Sequence, residues 1–245
     1  MQQHEAVKKV MEDKGGYATL GCLYGEVLKV PGVKWKTKTP FASIRRIVQD
    51  ERIFFKIRPG LWALKSHKDK LPFDILPIKD IPQSKQEEFN HTYFQGLLVE
   101  IGNLKEFQTF VPNQDKNKNY LGKRLGEIIS VGDFYQFTYE HIVRRARTID
   151  VTWFNVRKMP SMLFEVEHAA DIYNSLLKFV ELQDFHTDFY IVATDVRKRE
   201  FESKLALNAF LPIQERTKFI SYDEASEWHS SVYKTATIEK HLFKP

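Results

Sequence analysis

"ARTIDVTWFNVRKMPSMLFEVEH", Ala146 to His168, reads as two β-strands around a turn near Arg157 to Ser161. The second strand carries Glu165 and Glu167 inside an apolar run. Alternation sends both glutamates to one face and Phe164, Val166 and His168 to the other. Burying unpaired carboxylates beside apolar neighbours is costly, so the pair either faces water or shares a cation. A hairpin brings Asp150, at the head of the first strand, close to Glu165. Three carboxylates at two adjacent strand ends form an oxygen-rich set of the kind that suits Mg²⁺.

Outward from this hairpin the chain alternates. A helix from about Glu87 to Asn103 leads to an extended EFQTFVP and the polar loop NQDKNKNY. After the hairpin come a helix over 169–183, the apolar strand DFYIVATD, a helix over 196–205 and the strand TKFISYD. This order predicts an α+β or α/β domain over 87–245, a central mixed β-sheet flanked by helices. The pattern of Asp150, a gap, then Glu165-x-Glu167 between a preceding and a following helix resembles the PD-(D/E)XK nuclease superfamily over about residues 87–222.

That resemblance implies a restriction-endonuclease-like fold, phosphodiester hydrolysis with Mg²⁺, and Asp150, Glu165 and Glu167 as the acids around the metal. Glu167 stands where the superfamily usually has lysine, and Thr148-Ile149 replace the usual proline before Asp150. Lys178 or Gln183, on the following helix, are candidates for the missing polar or cationic group. Glu100, in GLLVEIG, matches the place of an additional glutamate on the opening helix. His168 falls opposite the glutamates, which favours a structural role, and His141 and His186 have no assignable partner. Arg144 and Arg145, in VRRAR ahead of Asp150, suit phosphate contact.

The N-terminal part has a different character. Residues 1–70 hold 15 Lys and Arg against 7 Asp and Glu, a surplus of eight, in a chain of net charge +5. The basic character therefore belongs to the first segment, as in a polyanion-binding module joined to a mildly acidic domain. HEAVKKVMED places Ala6, Val7, Val10 and Met11 on one helical stripe, Tyr17 to Val30 continues at helical spacing, and a third helix begins near Thr39-Pro40. Two short β-like runs then flank Arg58-Pro59-Gly60.

Three helices followed by a hairpin is the order of a winged helix-turn-helix. AVKKVMEDKGGYATLGCLYGEVLKV, KTPFASIRRIVQD and FFKIRPGLWALK together resemble its HARE type, over about residues 3–65. The resemblance implies contact with double-stranded DNA and a proposed role in sensing DNA modification. Ser43, Arg45, Arg46 and Gln49 face outward from the third helix. Lys34, Lys36 and Lys38 precede it, and Lys56 and Arg58 lie on the wing, all suited to DNA contact.

Domain boundaries follow at 1–66, a linker at 67–86 with three prolines, and 87–245. The single cysteine, Cys22, excludes an internal disulfide and a cysteine-cluster zinc site. No apolar run spans a bilayer and the first residues lack a signal-peptide core, so a cytoplasmic protein without membrane attachment is expected. No G-x-x-x-x-G-K-[ST] occurs, so no nucleotide cofactor is expected. The reading as a whole is a restriction-type, sequence- or modification-dependent DNA endonuclease, a homodimer because one centre cuts one strand. The alternatives are a non-catalytic DNA-binding regulator with a degenerate nuclease fold, and a repair nuclease with the same chemistry.

Overall fold

The structure, a computed structural model, describes residues 1–35, 37–76, 82–168 and 171–243. The chain divides into two compact units, Met1–Gln83 with Ser226–Pro245, and Ser84–Ala225. The last segment thus falls in the first unit, whereas the sequence reading runs the second domain through to residue 245.

The first unit opens with α1 (Gln3–Asp13), whose start is capped where the Gln2 amide donates to Glu5 Oε2 at 2.7 Å. Gly16, at φ +95°, lets the chain reverse, and a side chain there would collide with His67. Helical spacing over 17–30 predicts one helix, but the structure has a strand first. Tyr17–Thr19 (β1) pairs with Leu61–Leu64 (β3), and only then does α2 (Leu20–Glu26) begin, with a 3₁₀ turn over Val27–Lys29. Thr19 stops the strand and starts the helix, its hydroxyl accepting the Cys22 amide at 3.1 Å. The local cap and the cross-strand bonds outweigh the spacing of Leu20, Leu23 and Val27.

Pro40 opens α3 (Pro40–Val48), and β2 (Phe54–Arg58) returns through Gly60, at φ +74°, into β3. The three strands form an antiparallel sheet in the order β1-β3-β2. Val7, Met11, Leu23, Ile44, Val48 and Phe54 close the core between helices and sheet. The register of β2 against β3 shifts between Lys56 and Arg58. That irregularity breaks the alternation, so Ile57 and Arg58 are both buried.

The second unit is built on a five-stranded sheet. The 22-residue α4 (Gln83–Leu104) precedes β4 (Gln108–Phe110), a small hairpin of β5 (Asn119–Tyr120) and β6 (Lys123–Arg124), and the short helices α5 (Leu125–Ile128) and α6 (Glu140–Ala146). β7 (Val151–Phe154), β8 (Pro160–Glu167), α7 (Ile172–Val180), β9 (Asp188–Ala193), α8 (Lys198–Leu205) and β10 (Thr217–Ser221) follow.

The sheet order is β10-β9-β8-β7-β4. β4, β7 and β8 pair antiparallel, while β8, β9 and β10 pair parallel. A short turn can reverse β7 into β8, whereas the parallel pairs need crossovers, which α7 and α8 provide. The sheet is therefore mixed, as the order of elements predicts.

Trp153, wholly buried on β7, donates its indole N–H to the Leu98 carbonyl at 3.1 Å and so ties α4 to the sheet. Gly102 leaves room for that indole, 2.7 Å from where a Cβ would stand. The last helix, α9 (Tyr222–Leu242), has no counterpart in the sequence reading. No described helix is long and apolar enough to cross a membrane.

Candidate active site

The pairing of Val151 with Phe164 sets Asp150, just ahead of β7, beside the end of β8. Asp150 Oδ2 accepts the Val166 amide at 2.8 Å, which fixes the carboxylate against the strand that carries the glutamates. Glu165 and Glu167 are 2 % and 4 % exposed, so these two charges do not face water.

One helix face meets both of them. Ser175 and Lys178, three residues apart on α7, project together. Lys178 Nζ donates to Glu165 Oε2 at 2.7 Å and Oε1 at 2.9 Å. The Ser175 hydroxyl lies 3.2 Å from Glu165 Oε2 and in close contact with Glu167 Oε1. A hydroxyl has one proton, so it serves one carboxylate at a time.

These acids are electrostatically strained. Burial and then the Asp150 charge push Glu165 well above the usual carboxylate range, against the pull of Lys178. Burial also raises Glu167, with the Ser175 hydrogen bond working the other way. Asp150 goes down instead: burial would raise it, but His91, the Val166 amide and Lys178 together outweigh that. Glu167 Oε2 is buried with no hydrogen-bond partner among the described residues. Three acids in a poorly solvated corner, one oxygen unpaired and the charge on Glu165 disfavoured by burial and by Asp150, are a donor set that fits a hard divalent cation.

A cavity of about 460 Å³ gives access to the acids and is lined also by Glu88, His91, Lys118 and His168. His168, expected on the opposite face, reaches the same cavity from the strand end, where its ring stacks on Tyr222 at 6.2 Å. Beyond the last paired residue, Glu167, strand alternation no longer governs direction. Glu100 is not among the lining residues and accepts the Tyr120 hydroxyl at 3.1 Å. It lies nine residues after His91, about 13 Å along the helix and half a turn round it. The helix presents Glu88 and His91 to the cavity instead. Gln183, the other candidate for the missing group, gives its backbone carbonyl to Arg216 and does not line the cavity.

A second set of ligand-type atoms shares Asp150. His91, Asp115 and Asp150 each offer one ligand atom, all within 4.8 Å of one another. His91 comes from α4 and Asp115 from the loop before β5. Sequence reading missed both, along with Ser175. The helical spacing of His91 and Gln95, and of Ser175 and Lys178, was a usable signal for the helices, but nothing local marks Asp115.

The remaining candidates lie elsewhere. Arg144 is exposed on α6 and Arg145 half-buried, its Nε enclosed without a partner among the described residues. Neither lines the cavity. In the first unit Arg46 on α3 and Gln49 at its end are exposed and, with the half-buried Ser43, line a surface cavity of about 700 Å³. Arg45, also exposed, is held by Glu227 of α9 through two contacts of 2.5 and 3.2 Å. Lys34, Lys38 and Lys56 are exposed. Arg58, expected on the wing surface, is 2 % exposed because of the irregularity in β2. Lys36 lies outside the described residues.

The family model of the type II restriction enzyme NmeDI C-terminal domain matches residues 75–242. The type II restriction enzyme NmeDI of Neisseria meningitidis serogroup C is 24% identical over 152 residues, covering 57% of this chain and 42% of the relative. The match therefore spans less than half the length of that curated relative. No solved structure matches the chain.

Proposed function

Because the chain belongs to the type II restriction enzyme NmeDI C-terminal domain family, we propose that it is a Mg²⁺-dependent endonuclease that hydrolyses phosphodiester bonds in double-stranded DNA. The observation that carries this reading is the convergence of Asp150, Glu165, Glu167 and Lys178 on one cavity, at the end of two paired strands.

Asp150, Glu165 and Glu167 are the residues that hold the ion. When bound, Mg²⁺ lowers the pKa of a water and offsets charge developing on the phosphate. Lys178 takes the place of the lysine absent from β8: it reaches Glu165 from α7, orients that carboxylate and brings a positive charge to the cavity. Ser175 keeps Glu165 and Glu167 aligned on one face. The buried walls exclude bulk water and strengthen each of these interactions.

The N-terminal unit supplies DNA binding in this reading. Its order of helices and a three-stranded sheet supports a winged helix-turn-helix, with Arg46 and Gln49 on the reading face and Lys34 and Lys38 at phosphates. One centre cuts one strand, so double-strand cleavage calls for two copies of the chain. A non-catalytic DNA-binding regulator is the second reading, favoured by the Lys178–Glu165 pair, which neutralises one acid internally.

The deciding experiment incubates unmodified, cytosine-methylated and hydroxymethylated DNAs with Mg²⁺ and either the wild type or Glu165→Gln. Discrete fragments from at least one substrate, absent with the variant, are expected. Binding without cutting on every substrate supports the regulator.

A further inference from the structure

The geometry points to a second cation site, formed by His91, Asp115 and Asp150, that takes a first-row transition divalent cation, for which Mn²⁺ serves as the spectroscopic probe. It rests on the endonuclease reading only in sharing Asp150 with the acids proposed above.

Three features favour this set as a ligand cage. First, the donors converge from separate parts of the chain: His91 from α4, Asp115 from a loop and Asp150 from the head of β7, with ligand atoms within 4.8 Å of one another. His91 Nε2 is 3.5 Å from Asp150 Oδ1, the oxygen left over once Oδ2 accepts the Val166 amide.

Second, the surroundings hold the donors in place. Asp115 is 3 % exposed, and its loop is closed by its own amide on the Pro112 carbonyl and by the Lys118 amide on its carbonyl, both at 2.9 Å. Gln95, one turn after His91, donates to Asp115 Oδ2 at 2.9 Å and to the Asp150 carbonyl at 3.2 Å. Such supporting bonds orient ligands at metal sites. Third, Gln95 is wholly buried, and the Oε1 of the same amide that holds Asp115 and the Asp150 carbonyl has no partner among the described residues, an unpaired oxygen that a bound ion or its water would satisfy.

The donor chemistry selects the ion. An imidazole nitrogen among carboxylates favours the transition series over Mg²⁺ and Ca²⁺, which prefer oxygen. Lys118 Nζ sits 2.6 Å from Asp115 Oδ1 and supplies the positive charge that a cation would bring. It is a long side chain from the same cavity rim, so it can move to solvent or to a phosphate as the ion enters.

Mn²⁺ added to the full chain after tag removal, and read by electron spin echo envelope modulation, tests the proposal. Nitrogen coupling from one imidazole is expected in the wild type, lost in His91→Gln and kept in Glu165→Gln. No imidazole coupling in the wild type, or coupling that survives in His91→Gln, overturns it. Lys118→Gln should tighten Mn²⁺ binding about tenfold by removing the competing ammonium, and unchanged or weaker binding also counts against the site. A Glu165→Gln protein that keeps the coupling and still cuts DNA removes the endonuclease reading of Glu165 while leaving this site standing.

Discussion

The two units keep their charges in different places. In the Met1–Gln83 unit the described carboxylates lie outside the core, and its basic side chains are mostly exposed, Arg58 being buried. In the Ser84–Ala225 unit Asp115, Glu165 and Glu167 are enclosed, and Lys178 and His91 lean on the acids from two helices. Exposed charge costs a fold little, so its position says little about its purpose. Buried charge is costly, and a fold that gathers Asp115, Asp150, Glu165 and Glu167 with His91 and Lys178 in one corner has been shaped by something other than stability.

Removing the charge that the corner is built around should have the largest effect. Glu165→Gln keeps the shape and one hydrogen bond from Lys178 but removes the carboxylate charge proposed to hold the ion. Cleavage in Mg²⁺ should fall by about a thousandfold or more, measured as single-turnover rate, with DNA binding unchanged. Wild-type cleavage by this variant would mean that the buried acids serve the fold and not the chemistry.

Next in size is the cost of breaking the pair from its other end. Lys178→Met leaves Glu165 buried without its cation and should lower stability in EDTA by about 3 kcal/mol. Glu165→Gln/Lys178→Met should recover most of that loss, and a denaturant double-mutant cycle measures the coupling directly. Additive losses in the cycle would show that the two side chains do not depend on each other.

The two units also differ in how far sequence alone reveals them. The β7–β8 hairpin, the strand that follows and the mixed sheet were legible, because alternation, turn residues and apolar runs are local signals. The closeness of Asp150 to Glu165 and Glu167 was legible for the same reason, since charge inside an apolar strand is conspicuous and the hairpin brings Asp150 beside it. Lys178 was visible only as an option, because its value depends on how α7 lies on the sheet. Asp115 carries no local mark at all, sitting in a polar loop where aspartate is ordinary. In the first unit, Tyr17–Thr19 joined β3 because long-range strand bonds outweighed helical spacing. Arg58 turned inward at an irregularity that no spacing rule anticipates.

A smaller effect tests the exposed side of the comparison. Arg46→Ala should weaken DNA binding by about tenfold and relax its sequence preference, as the loss of a contact on the reading face does. Glu227→Gln should act in the opposite direction by freeing Arg45, strengthening binding by no more than about fivefold, because exposed ion pairs are worth little. Fluorescence anisotropy at several salt concentrations resolves both. Unaltered affinity in both variants would move DNA binding off this face of α3.

The smallest effect is a pH dependence of stability, and its sign separates the two regions. Burial and the Asp150 charge raise Glu165 from 4.5, so the native state binds that proton more tightly than the unfolded chain. The resulting stabilisation is complete below 4.5 and is lost as pH rises through the higher native value. Glu167 is raised too and acts in the same direction. Asp150 opposes them: lowered from 3.8, it stabilises above that value and loses its effect as pH falls through the lower native one. Above 4.5 the glutamates set the trend together with His91, whose burial works against its charge but which Asp150 holds above 6.5, so its contribution is also lost as pH rises. In EDTA the melting temperature should decline as pH climbs from about 5 to 8, and Glu165→Gln should flatten the decline. Saturating Mg²⁺ should flatten it as well, because the ion replaces the proton as the counter-charge to three acids. If the slope survives both changes and His91→Gln as well, its source lies outside this corner, and the contrast between an outwardly charged unit and an inwardly charged one loses its energetic basis.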